Sequence, residues 1–147
     1  MSNKKVEPLI PSRLVVVETA YYQPINESPL AVESRYSREL ETDEQLYQRF
    51  KVATEKWEAL DKGWIGSHPG LLLIQNTEGQ NLQLKPTKEE KKELSQHVLE
   101  LSLENNPTMA WLIPPGESMR AYPSDISSLL IRCQKGTAKY TLTLFPG

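Results

Sequence analysis

This chain of 147 residues contains one cysteine, two histidines and seven glycines, and each scarcity removes a class of protein. The single Cys133 cannot form an internal disulfide, so no disulfide framework holds the fold. Cys133, His68 and His97 are too few for a tetrahedral zinc site without borrowed carboxylates, and nothing shows ligand spacing. No apolar run approaches the ~20 residues that span a bilayer as a helix. Lys4 and Lys5 are not followed by an apolar stretch of signal-peptide length. No membrane contact is expected, and synthesis and first folding are expected in a cytoplasm. Charge of either sign is not in excess: seventeen Lys plus Arg stand against nineteen Asp plus Glu, a net −2. There is then no broad basic field for nucleic acid, and no such partner is expected. A glycine-rich phosphate loop, paired histidines and a nucleophile elbow are all missing, so no cofactor is expected.

What is present is a core-forming fraction of hydrophobic residues, 38%, enough for one modest domain without a structural metal. Residues 1–12, with Pro8 and Pro11, read as an extended N-terminal arm, and 13–147 as a single domain. Arg13 to Tyr22 is β-branched and aromatic, a strand whose continuous apolar middle suggests burial. Residues 23–41 are polar, with Pro24 and Pro29, and read as a long excursion with at most a short strand around Leu30 to Val32. Loops of that length tend to be functional.

Leu46, Phe50, Ala53, Trp57, Leu60 and Trp64 recur at steps of three and four, the spacing of one helix face. Thr42 with Gln45 resembles a capping box and Gly63 supplies a stop, so a long amphipathic helix is expected from Asp43 to about Lys62. Leu71 to Lys85 reads as a β-hairpin, and a second, shorter helix is expected to open at Thr87 and end near His97. From there Leu99, Leu101 and Leu103 alternate as a strand. The part from 107 to 147 is cut by prolines and glycines into four strands, Met109–Ile113, Glu117–Ala121, Ser128–Cys133 and Thr137–Phe145.

The expected fold is therefore α+β: a mainly antiparallel sheet or small β-sandwich with one long amphipathic helix packed on it and a second shorter helix. Its expected core is Val15, Val17, Leu46, Phe50, Trp57, Leu60, Leu72, Ile74, Leu99, Leu101, Trp111, Ile113, Leu130, Tyr140, Leu142 and Leu144.

The most site-like segment is Gly116 to Arg120, where Glu117, Ser118 and Arg120 share a turn with Asp125 nearby. A hydrolase could use such a set, although a plain β-turn has the same composition. Arg132, between Ile131 and Cys133, points away from the face that buries them and can anchor a partner's carboxylate. The residues expected to touch partners are Val6, Pro8 and Ile10 of the arm, Tyr21, Tyr22, Ile25, Leu30 and Tyr36 around the excursion, and Arg120 and Arg132. The leading expectation is a non-enzymatic structural or assembly protein in contact with protein subunits of a homo-oligomer or larger assembly, with a virion component (capsid cement, connector or tail protein) as its narrowest form. The alternative is a small cytoplasmic module that binds a ligand or peptide.

Overall fold

The computed structural model describes residues 13–40, 45–79, 87–89, 92, 96–104 and 106–147. They form ten strands and divide into two compact units, one within Met1–Asp43 and one within Glu44–Gly147. In the first unit, β1 (Arg13–Tyr22) and β2 (Leu30–Glu39) pair antiparallel over all ten residues, from Arg13 opposite Glu39 to Tyr22 opposite Leu30. The reversal occupies 23–29. There Asn26 takes a left-handed φ of 62°, which asparagine tolerates better than most residues, and the Gln23 side-chain amide donates to Glu27 O at 3.1 Å. The expected excursion over 23–41 therefore contains a full return strand: Leu30, Val32 and Tyr36 alternate with Ala31, Glu33 and Arg35, a period of two.

The second unit has two four-stranded antiparallel sheets. One orders β3 (Tyr47–Ala53), β10 (Ala138–Phe145), β5 (Leu71–Asn76) and β8 (Ser118–Ala121). The other orders β4 (Glu58–Ala59), β9 (Leu129–Cys133), β6 (Leu99–Leu103) and β7 (Asn106–Ile113). Their inward rows share one core, with Leu72, Ile74, Leu142 and Leu144 from the first sheet and Leu99, Leu101, Ile113 and Ile131 from the second. β5 lies between β10 and β8 and buries both of its faces at Leu71 and Leu72, which explains its unbroken apolar run. β10 buries Ala138, Tyr140, Leu142 and Leu144, and its alternate residues Thr141 and Thr143 are buried as well. Thr143 accepts a hydrogen bond from Gln48 Nε2 at 3.0 Å.

The long helix does not exist. Its expected span holds β3 and β4, and the molecule is nearly all β. In β3 the face turned toward the core is Tyr47, Arg49, Lys51 and Ala53, while Phe50 is 85% exposed on the other. The helical spacing of apolar residues is coincidental, because two of the four inward positions are cations. The second helix and the Leu82 to Leu84 arm of the expected hairpin fall mainly outside the described residues; Lys88, Glu89 and Lys92 are helical, but no helix is delimited among the described residues. The arm with Val6, Pro8 and Ile10 also lies outside them.

Of the expected core, Leu60, Leu72, Ile74, Leu99, Leu101, Ile113, Tyr140, Leu142 and Leu144 are buried. Val15, Val17, Leu46, Phe50 and Trp111 are exposed, and Trp57 and Leu130 are only partly covered. Val15 and Val17 share a hairpin face with Arg13 and Thr19, opposite Ser37 and Arg35.

One buried amide joins the two sheets. Asn76, at the end of β5, donates from Nδ2 to His97 O at 2.7 Å and to Ile113 O at 2.9 Å, both belonging to the β6–β7 side. Its Oδ1 accepts from Glu78 N, and its backbone pairs with Gly116 N and Glu117 O. Replacing Asn76 by Leu keeps the volume but leaves two buried carbonyls unpaired, at a cost of ~2–4 kcal/mol. Urea unfolding of the Asn76→Leu variant is expected to show a lower midpoint with an unchanged slope.

Candidate functional site

Five of the ten residues expected to meet partners lie on the hairpin. Tyr21 is 79% exposed, Tyr22 65%, Ile25 89%, Leu30 60% and Tyr36 41%. Alternation sorts them. One face carries Leu14, Val16, Glu18, Ala20 and Tyr22 opposite Arg38, Tyr36, Ser34, Val32 and Leu30, so seven of these ten positions are apolar or aromatic. The other face carries Arg13, Val15, Val17, Thr19 and Tyr21 opposite Glu39, Ser37, Arg35, Glu33 and Ala31. It holds the exposed pairs Arg13–Glu39 and Glu33–Arg35 at 3.6 and 3.5 Å. Such pairs contribute ~0–1 kcal/mol, so they identify the wet face without stabilising it much. Val32, 67% exposed, belongs to the apolar face and was missed in the sequence.

Arg120 and Arg132 are not brought together. Arg120, on β8, lines a cleft of about 430 Å³ with Leu72, Leu101, Trp111, Met119 and Tyr122, open between the edges of β7 and β8. Arg132, on β9, points to the outer side of its sheet as expected, but an acid of this chain already holds it: its Nε lies 2.9 Å from Glu100 Oε2, and Gln134 donates to Oε1 of the same carboxylate at 2.6 Å. The guanidinium also stacks over Trp57, 4.5 Å from the ring centre.

The reactive candidates are occupied structurally. Cys133 is fully buried, burial raises its thiol pKa, and its Sγ approaches Lys135 O at 3.3 Å. It is an inert core thiol. His68 Nδ1 lies 2.6 Å from Ser124 O and His97 Nδ1 lies 2.6 Å from Thr137 O. Among the described residues no hydrogen bond joins either histidine to Ser118 or Cys133. Asp125 caps its own turn, accepting from Ser127 N and Oγ at 2.7 and 2.6 Å. No group of three His, Cys, Asp or Glu among the described residues could hold a metal ion, and none of their helices is long and apolar enough to cross a membrane.

The densest polar cluster was not foreseen. Asp61 accepts from the Tyr47 hydroxyl, from Lys51 Nζ at 2.7 Å and from Gly63 N at 3.0 Å. Arg49 lies over the Tyr47 and Trp64 rings at 4.7 and 5.2 Å. Gly63 has φ 51° and packs so closely on the Tyr47 ring that a Cβ would enter it. The cluster pins the 60–64 turn to β3. Burial pushes the Asp61 carboxyl up, but Lys51, Tyr47 and Gly63 outweigh it and hold the pKa at about 2. The hydrogen bond to Asp61, and then burial, raise the pKa of Tyr47.

Because the Asp61 pKa is about 2 in the folded chain against an ordinary 3.8, its contribution is complete above pH ~4 and fades as pH falls from ~4 to ~2. The Asp61→Asn variant is expected to be less stable than the parent at pH 7, with the gap narrowing across that window; denaturant midpoints measured from pH 7 to 2 check this.

No family model matches the chain, no curated protein is similar to it in sequence, and no solved structure matches its fold.

Proposed function

We propose that this chain is a structural subunit whose work is to make protein–protein contacts, and that the β1–β2 hairpin is its contact element. The observation that carries this reading is the hairpin itself: a ten-residue two-stranded sheet in a compact unit of its own, with Tyr22, Leu30 and Val32 more than half exposed on one face. Two-stranded hairpins are marginal in water without something to pack against, and exposed apolar side chains gathered on one face mark a contact surface. In its narrowest form the proposal makes the chain a shell, connector or tail component of a virion.

A second reading, a module that binds a small apolar anion or peptide, is favoured by the cleft between β7 and β8. Its walls, Trp111, Met119 and Tyr122, are apolar with Arg120 beside them, the composition of many ligand sites. It predicts saturable binding of a fluorescent fatty acid that Trp111→Ala weakens at least tenfold, measured by titration.

Light scattering of the purified full chain over a concentration series tests the leading reading. Mass above that of a monomer is expected. In the double variant Tyr22→Lys, Val32→Lys it is expected to fall to the monomer value, while thermal unfolding of the two-sheet unit moves by no more than a few degrees. A wild-type chain that stays monomeric and binds no protein partner overturns the reading.

A further inference from the structure

We propose that the two-sheet unit carries a contact surface of its own, in which Arg49 seats a carboxylate from an acidic peptide segment of a partner protein. This surface is separate from the hairpin, because its residues all lie within the Glu44–Gly147 unit.

The way Arg49 is held is the first support. Its guanidinium lies over the rings of Tyr47 and Trp64, 4.7 and 5.2 Å from their centres. Both rings are fixed. They meet edge to face at 4.8 Å, the Tyr47 hydroxyl donates to Asp61, and Trp64 Nε1 donates to Gln45 O at 2.9 Å. A guanidinium stacked on such a platform has less rotamer freedom left to lose when a partner arrives.

Its lack of an acid is the second support. Arg13, Arg35 and Arg132 each hold a glutamate of this chain, and Asp61 is engaged by Tyr47, Lys51 and Gly63. Arg49 is exposed, donates from Nη1 to Gln48 O at 2.8 Å, and pairs with no carboxylate among the described residues. Its planar fork matches a carboxylate through two parallel hydrogen bonds.

The surroundings are apolar. Phe50 and Val52, on the outer face of β3, are 85% and 55% exposed, and Leu46 and Trp64 are 44% and 51% exposed. Aromatic residues and arginine gathered in this way have the composition of an interface centre.

Charge selects the partner. Within the cluster Lys51 is balanced by Asp61, which leaves Arg49 as its net positive charge. Nucleic acid is held by several cations at once, whereas one fork suits one carboxylate. The exposed apolar side chains beside it favour an acid carried on a peptide over a bare anion.

A bead-displayed library of random decapeptides, screened against the full-length chain, tests this. Enrichment of peptides with Asp or Glu beside apolar residues is expected. For the best of them, fluorescence polarisation is expected to show binding weakened about tenfold by Arg49→Ala and several-fold by Arg49→Lys, which keeps the charge and loses the fork. Replacing the peptide's acids by their amides is expected to weaken binding to the parent as much, and to change binding to Arg49→Ala little. Thermal unfolding of each variant is read first; Phe50→Ser, which leaves the ring platform alone and is expected to weaken binding several-fold, serves if Arg49→Ala fails to fold. No enrichment, enrichment without acids, or binding indifferent to Arg49 overturns the proposal. Displacement of the peptide by millimolar acetate or inorganic phosphate assigns the site to a small anion and overturns the peptide partner. A solution mass that falls in Arg49→Ala assigns the acid to a second copy and overturns the choice of partner. The double variant Tyr22→Lys, Val32→Lys is expected to bind the peptide unchanged, so failure here and failure of the hairpin reading are told apart.

Discussion

The two-sheet unit depends on a single side-chain amide held where water cannot reach it. Asn76, itself buried, ends β5, and from there its Nδ2 binds carbonyls of His97 and Ile113 on the β6–β7 side while its backbone holds the Gly116–Glu117 turn. A sandwich held by leucines alone can slide, because hydrophobic contact has no direction. Two short hydrogen bonds across the gap set the register of one sheet against the other, and they hold the β7–β8 turn where the chain changes sheets. The placement of Met119 and Arg120 beside the cleft follows from that turn.

The strand edges differ between the two units. In the two-sheet unit β4 has two residues and β8 has four, β7 pairs through a bulge near Ser102, and β3 carries Arg49 and Lys51. These are common defences against unwanted pairing. The hairpin strands are longer, ten residues each, and pair without a register shift, although they too carry cations at Arg13, Arg35 and Arg38.

Strands that bury one face or two were legible in the sequence wherever the inward residues were hydrophobic. β9 and β10 follow Ile131–Cys133 and Tyr140–Leu144, whereas the segment of β6 fits a helical stripe through Val98 and Leu101 as well as the strand alternation of Leu99, Leu101 and Leu103. β3 was illegible because the positions on its core-side face include Arg49, whose guanidinium lies over Tyr47 and Trp64, and Lys51, which reaches Asp61. A pattern of apolar against polar residues cannot register a core-side position filled by a cation that pairs or stacks. β2 was a different failure: Leu30, Val32 and Tyr36 do alternate, but the arginines and glutamates between them read as a solvated loop. Tyr21, Tyr22, Leu30 and Tyr36, singled out from composition, are exposed, whereas the Asp61 cluster and the hold of Glu100 on Arg132 join residues far apart in the chain.

The strand order has a kinetic side. β3 must wait for β10, and Gln48 meets Thr143 across 95 positions of sequence, so the first of the two large sheets cannot close until its last strand has been synthesised. Such long-range pairing is slow, typically milliseconds to seconds. The hairpin needs only a seven-residue reversal over 23–29 and can zip in ~1–10 µs. The hairpin can therefore form before the two-sheet unit, whose closure waits for its most distant strand.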